Sequence, residues 1–213
     1  MTWLAVAFGG LVLMFFYGWV RATSRPWVFA GVAVAWIVLQ TGLGLAGFYA
    51  VLTTPPRILL LVVPPAIFAV TLLVPRFGRR FLDSLDLRVL TLLHGLRIFV
   101  ELVLYGLYVQ GTIPRQMTFE GGNLDILSGL SAPLIYVIGF KPLRPRLLLW
   151  WNVVCMGLLL NVTLRAQRFA FGQPGVALAR FPFLLLPGFV VPLVLLAHLA
   201  AIRRSVIALK TPA

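Results

Sequence analysis

A single cysteine, Cys155, rules out a disulfide within the chain. Its place inside an apolar run reads as a small buried side chain. Acidic residues are nearly as scarce, with five in 213 residues, and histidine occurs only as His94 and His198. The chain has no Gly-rich phosphate loop, no His-Glu-x-x-His helix and no Gly-x-Ser-x-Gly elbow, so no motif supports a nucleotide, metalloprotease or serine-hydrolase chemistry. An enzyme is therefore not the expected class. Long polar stretches are missing too: 11% of residues are charged and 61% are hydrophobic.

What is abundant is apolar sequence. The mean hydropathy is +1.02, more than one soluble core of this size can bury. Apolar runs fall at about 3–20, 27–49, 58–75, 89–110, 124–140, 147–164 and 181–202. A spanning helix needs roughly 20 mainly apolar residues. The expected fold is an all-α integral membrane protein, a bundle of about seven transmembrane helices forming one domain over residues 1–213. The first run lacks the basic start of a signal peptide and reads as a retained span. Turn chemistry marks the breaks: Arg21 to Pro26, Thr53 to Pro56, Pro75 to Arg80, Gly111 to Asn123, Lys141 to Pro145 and Gln167 to Gly175.

The net charge of +13 comes from 16 Arg and 2 Lys. These cations sit between the apolar runs, a pattern suited to anionic headgroups of a lipid bilayer rather than to nucleic acid. With seven spans, one side holds Arg21, Arg25, Arg76, Arg79, Arg80, Arg88, Lys141, Arg144, Arg146, Arg203, Arg204 and Lys210. The other holds Arg57, Arg115, Arg165, Arg168 and Arg180. The positive-inside rule then predicts an N-terminus outside and a cytoplasmic C-terminus. A bacterial inner (plasma) membrane is expected from the Arg-rich, Lys-poor composition.

Ionisable groups within apolar runs point to sites, because they are costly in hydrocarbon. In the fourth run His94, Arg97, Glu101, Tyr105 and Tyr108 are spaced 3, 4, 4 and 3, which places them on one helix face. That face predicts a helix in the middle of the bundle. Arg97 and Glu101, one turn apart, either neutralise each other or line a cavity where Glu101 takes up a proton or a cation. The outer loop from Pro114 to Asp125 adds Glu120, Asn123 and Asp125. It precedes a short fifth run, an arrangement in which transporters build sites. Alternatively Asn123 or Asp125 caps the fifth helix. Arg165, Arg168 and Arg180 share that side and are candidates to pair with Glu120 and Asp125.

Counting from the helix ends puts His94, His198 and Asn152 at one level near the basic side. Two histidines at one depth read either as a pair hydrogen-bonded to Asn or to backbone or, alternatively, as ligands of a b-type haem or a shared metal, although zinc would need further ligands. Gln40 and Asn161 read as interhelical hydrogen-bonding amides. Trp27, Trp150 and Trp151 read as interface anchors. Prolines 64, 65, 187 and 192 predict kinks in the third and seventh runs.

The expected function is binding or transport of a small molecule or ion through a polar intramembrane site. That site comprises Arg97, Glu101, Tyr105, Tyr108, Glu120, Asn123 and Asp125. The alternatives are a haem- or metal-binding redox protein using His94 and His198, and an accessory subunit of a membrane complex. The seventh run carries no lysine, so a retinal Schiff base is not expected.

Overall fold

The computed structural model describes residues 2–51, 53, 55–74, 76, 78–169 and 177–210. The turn signals expected at Thr54, Pro75 and Gly172 to Gly175 lie outside the described residues. The fold is all-helical, with no strand among the described residues. Its helices are α1 (Thr2–Ala22), α2 (Pro26–Leu45), α3 (Leu59–Thr71), the short α4 (Arg79–Ser84), α5 (Leu87–Leu93), α6 (Arg97–Val109), α7 (Ile126–Phe140), α8 (Pro145–Phe169) and α9 (Val191–Lys210). Four segments are long and apolar enough to cross a membrane: Thr2–Ala22, Pro26–Leu45, Pro145–Arg168 and Leu186–Lys210.

Local chemistry sets the boundaries. Pro26 and Pro145 begin α2 and α8, where a missing N–H breaks no intrahelical bond. Asp86 caps α5, its carboxylate accepting the N–H groups of Arg88 and Val89 at 2.8 and 3.3 Å. α5 runs through a 3-10 turn (His94–Leu96) into α6, so the chain is helical from Leu87 to Val109. α2 stops short of its apolar run because Gly47 turns left-handed at φ 73° and starts a separate 3-10 turn, Phe48–Ala50. α9 runs past its apolar run to Lys210, two further turns of helix that open with Arg203 and Arg204 and end on Lys210.

Packing defines which helix is central. Of the four long segments, Leu186–Lys210 is the most enclosed, with 61% of its most apolar stretch buried, and Pro26–Leu45 the least, with 11%. The helix of the fourth run was expected at the centre. On its polar face His94, Arg97 and Glu101 are buried and Tyr105 and Tyr108 half-buried, yet Phe99, Leu102 and Val109 on the same rod are exposed. It therefore lies in the wall and α9 takes the middle. α1 runs antiparallel to the α5–α6 rod: Gly18 faces Leu93 and Leu4 faces Gly106, while the Asp86 N–H bonds the Ala22 carbonyl at 2.8 Å. α7 comes close to the same rod at Gly129, where a Cβ would sit 2.9 Å from the Ile98 backbone nitrogen.

Of the positions expected to kink, Pro187 lies ahead of α9 in a π-helical turn, Leu186–Val190. Pro192 has no N–H to offer the carbonyl four residues back, that of Gly188. A neighbouring helix meets that carbonyl instead: the Trp36 indole N–H donates to it at 2.7 Å.

One of the expected anchoring roles changes. Trp150 is exposed, but Trp151 turns inward, its indole N–H bonded to Ser131 Oγ at 2.9 Å. Among the described contacts, the oxygens of the isolated amides are met from nearby in sequence rather than from another long helix. Gln40 accepts the hydroxyl of Tyr49 from the 3-10 turn just after its own helix, and Asn161 accepts from Arg165 one turn along α8. In both cases a partner close in sequence meets the amide oxygen. Cys155 is buried, as expected.

Candidate functional site

The loop between α6 and α7 folds inward rather than lying across the end of the bundle. It is built from two 3-10 turns, Arg115–Met117 and Phe119–Gly121. The Thr118 carbonyl gathers the N–H groups of Gly121 and Asn123 at 2.9 and 3.1 Å. Gly122, at φ 91°, makes the reversal that a residue with a Cβ resists. At Gly121 a Cβ would sit 2.1 Å from the Arg115 carbonyl oxygen. The result buries Met117, Thr118 and Asn123 and sets Asp125 at the first turn of α7.

Two polar pairs follow. Arg97, at the start of α6, donates from Nε to Asp125 Oδ2 at 2.7 Å and from Nη2 to Oδ1, a two-pronged pair. One turn along α6, the Glu101 carboxyl lies against the Asn123 amide, with Nδ2 2.8 Å from Oε1 and 2.9 Å from Oε2. The same amide also donates to the Met117 carbonyl at 3.1 Å, and Asn123 Oδ1 accepts the Asp125 N–H at 3.1 Å. Arg97, Glu101, Asn123 and Asp125 are all buried.

The pairing differs from the mutual neutralisation of Arg97 and Glu101 that their spacing suggests. Arg97 does not neutralise Glu101; its fork matches Asp125 across the helix interface. Asp125 occupies the N-cap position of α7 without a capping side-chain bond, because its carboxylate is committed to Arg97. Asn123 braces the turn into α7 from two residues ahead.

Arg97 extends the network toward the basic end. Its Nη1 lies 3.0 Å from His198 Nε2, and His198 Nδ1 lies 2.9 Å from Asn152 Oδ1. Arginine can only donate, so His198 Nε2 accepts, and the ring proton sits on Nδ1 and points at Asn152. Asn152 in turn donates to the Leu148 carbonyl at 2.8 Å. His94 stacks on His198 with ring centroids 4.2 Å apart and meets Trp151 edge-on at 5.4 Å. The level shared by His94, His198 and Asn152 is thus a level of contact. His94 Nδ1 is buried without a hydrogen-bond partner among the described residues.

This stack does not fit a haem held between two histidines. Axial ligation points a nitrogen of each ring at an iron between them, whereas these rings lie face to face and both nitrogens of His198 are engaged. Among the described residues no group of three or more His, Cys, Asp and Glu could hold a metal ion.

The remaining expected site residues lie around the network rather than in it. Tyr105 and Tyr108 are half-buried on α6 beyond Glu101, and Tyr105 stacks on Phe119 of the loop at 5.1 Å. Glu120 is exposed and lies 3.7 Å from Arg115, so it belongs to the surface. Arg165 was expected to pair with an acid. It donates instead to the Gly121 carbonyl at 2.8 Å, clasping the loop. Arg168 and Arg180 are exposed. Histidine hydrogen-bonded to asparagine is one of the readings the sequence offers for this level, and the His198–Asn152 contact matches it. Trp151, read from the sequence as an interface anchor, packs edge-on to His94 instead. The signal for both was a polar or amphipathic side chain one residue apart at the same depth as two histidines.

The fold and the buried network define a helical protein with four helices of membrane-crossing length and a polar cluster joining α6, α7, α8 and α9. Residues 54–206 match the family described as a domain of unknown function (DUF8737), and the chain belongs to that family. The matched segment holds every residue of the network and leaves α1 and α2 outside it. No curated protein and no solved structure matches the chain.

Proposed function

We propose that this protein crosses a bilayer seven times and binds or transports a small molecule or ion at the Glu101 site. The seven crossings would be α1, α2, α3, the α5–α6 rod, α7, α8 and α9. The excess of cations on one side supports a cytoplasmic C-terminus and an outer N-terminus, and a bacterial inner membrane is the setting we infer. α7 has 15 residues, about 22 Å of helix, which is short of the roughly 30 Å hydrocarbon core. The inward-folded loop would fill the missing length, as irregular backbone does at membrane depth only where protein buries it.

One observation carries the functional reading. Asp125 already balances Arg97, and among the described residues no ion pair involves Glu101. A carboxyl group buried beside a neutral pair, held by one amide, lacks a counter-charge. A proton or a small cation would complete it. Arg97 has five N–H donors, of which the contacts above use three, so the cluster also has capacity for an acceptor group on a ligand. The unpartnered His94 Nδ1 marks a second point of contact on the basic side.

The test uses the full chain in proteoliposomes containing a pH-sensitive dye, with an imposed proton or sodium gradient. Wild-type protein is expected to dissipate one of these gradients. Glu101→Gln should slow that flux by about tenfold or more, as expected of a coupling carboxyl, while circular dichroism stays unchanged. Glu120→Gln should leave it unaltered. A Glu101→Gln flux equal to wild type would overturn the reading.

A further inference from the structure

A cleft of about 790 Å³ opens at the basic end of the bundle, between the start of α5, the end of α7, the start of α8 and the last turns of α9. Arg79, Arg88 and Arg204 line it together with Asp83 and Asp86. Both acids are already engaged within the chain. Asp83 lies 3.7 Å from Arg79 and 3.4 Å from Arg203, and Asp86 caps α5.

Arg88 and Arg204 are different. Among the described residues neither forms an ion pair. Each is oriented by a main-chain carbonyl: Arg204 Nη1 donates to Leu85 O at 2.6 Å, and Arg88 Nη2 reaches Phe140 O at 3.5 Å. The Arg88 guanidinium also lies over the Phe140 ring at 5.8 Å. Most of the donors on both forks remain for an anion.

The rest of the lining is apolar. Leu143 and Ile207 are exposed at the rim, and Leu148 and Leu87 are buried at the base. Apolar runs end at residue 140, begin at 147 and end at 202, and the cleft sits where they meet the charged turns. Cations beside an apolar wall at that level match an amphiphile with an anionic head rather than a fully hydrated ion.

We propose that this cleft binds the phosphate-bearing headgroup of an anionic membrane lipid. Arg88 and Arg204 ligate the phosphate through charge-assisted hydrogen bonds, and Leu143 and Ile207 lie along the lipid's first methylenes. The site is separate from the Glu101 network, and its occupant is a bound lipid rather than a transported species.

The full chain, purified in a neutral maltoside detergent, would be titrated with short-chain phosphatidylglycerol, short-chain phosphatidylcholine and inorganic phosphate, with binding read by native mass spectrometry. Phosphatidylglycerol is expected to bind about tenfold or more tightly than either of the others. Arg88→Gln and Arg204→Gln should each weaken it by about tenfold, the scale of one lost charged hydrogen bond. Leu143→Trp, at an exposed position that leaves both arginines in place, should block the lipid as well. Arg21→Gln, an exposed cation outside the cleft, should change nothing. Inorganic phosphate binding as tightly as the lipid would assign the cleft to free phosphate and overturn the lipid. Undiminished lipid binding in a folded Arg88→Gln/Arg204→Gln variant, or in Leu143→Trp, would overturn the site.

Discussion

Asn123 holds both oxygens of Glu101 from a loop 22 residues further along the chain, at 2.8 and 2.9 Å. A helix carboxyl group thus depends on irregular backbone for its only side-chain donor among the described contacts. The dependence can be measured. Asn123→Ala should destabilise the fold by about 1–3 kcal/mol, the scale for a buried acceptor left bare. Asn123→Asp should be worse, because it sets two carboxyl groups together. Combining it with Glu101→Gln restores a donor and an acceptor with their roles exchanged and should recover much of the loss. Denaturant unfolding in detergent reads all three. A double variant no better than Asn123→Asp would show that the two side chains do not act as a pair.

The Arg97–Asp125 pair predicts an asymmetry. Removing one partner, as in Arg97→Ala or Asp125→Ala, should cost about 3–5 kcal/mol by stranding a buried charge. Arg97→Lys should also be poorly tolerated, since a lysine cannot span both carboxylate oxygens while reaching His198. Replacing both partners with apolar residues, Arg97→Met with Asp125→Leu, should cost less than either single loss. Unfolding midpoints of the four variants would decide it. Additive losses in the double variant would contradict the pairing.

Close helix packing predicts a difference between two glycines. At Gly129 a Cβ meets the Ile98 backbone nitrogen at 2.9 Å, whereas at Gly106 it meets only the Leu4 side-chain tip, at 2.7 Å. A side-chain tip can swing away and a backbone cannot. Gly129→Ala should therefore destabilise by about 1–3 kcal/mol, and Gly106→Ala by clearly less, in thermal unfolding of the purified protein.

Trp36 and Pro192 should behave as a compensating pair. Trp36→Phe removes the indole donor from the Gly188 carbonyl, to which Pro192 four residues on offers no N–H, a loss of about 1–3 kcal/mol. Pro192→Ala supplies an N–H to that carbonyl, so it should soften the effect of Trp36→Phe. Tm values of the two single variants and the double variant form the test. A double variant as unstable as the sum of the two singles would contradict the account.

Much of this arrangement was legible in the chain itself. The polar face from His94 to Tyr108 could be read from helical spacing, because a helix repeats its direction every third or fourth residue whatever surrounds it. The common depth of His94, Asn152 and His198 followed from counting residues along rigid rods of about 1.5 Å per residue. The partners of Arg97 and Glu101 could not be read that way. The nearest opposite charge along the helix was the obvious partner, but the path of residues 110–125 decides the pairing. That path depends on Gly122 reversing the chain and on Met117 finding a buried place. Likewise Asp125 sits where a cap belongs, and only the approach of Arg97 from another helix diverts its carboxylate. Helix ends were misplaced where helix outlasts apolarity, as in Arg203 to Lys210, or where a glycine ends it early, as at Gly47.

The wall that α1 forms has a consequence for dissecting this molecule. Leu4, Phe8, Leu11 and Phe15 share one apolar cluster with Leu104, Phe183 and Phe189, and the Phe8 and Phe183 rings lie 5.5 Å apart. The stretch recognised as the family's domain begins after these residues. An excised fragment starting there would bare a greasy seam along the α5–α6 rod and the turn before α9, and it would lose the indole that quiets the Gly188 carbonyl. The borders drawn by family resemblance and those drawn by cohesion do not coincide in this chain.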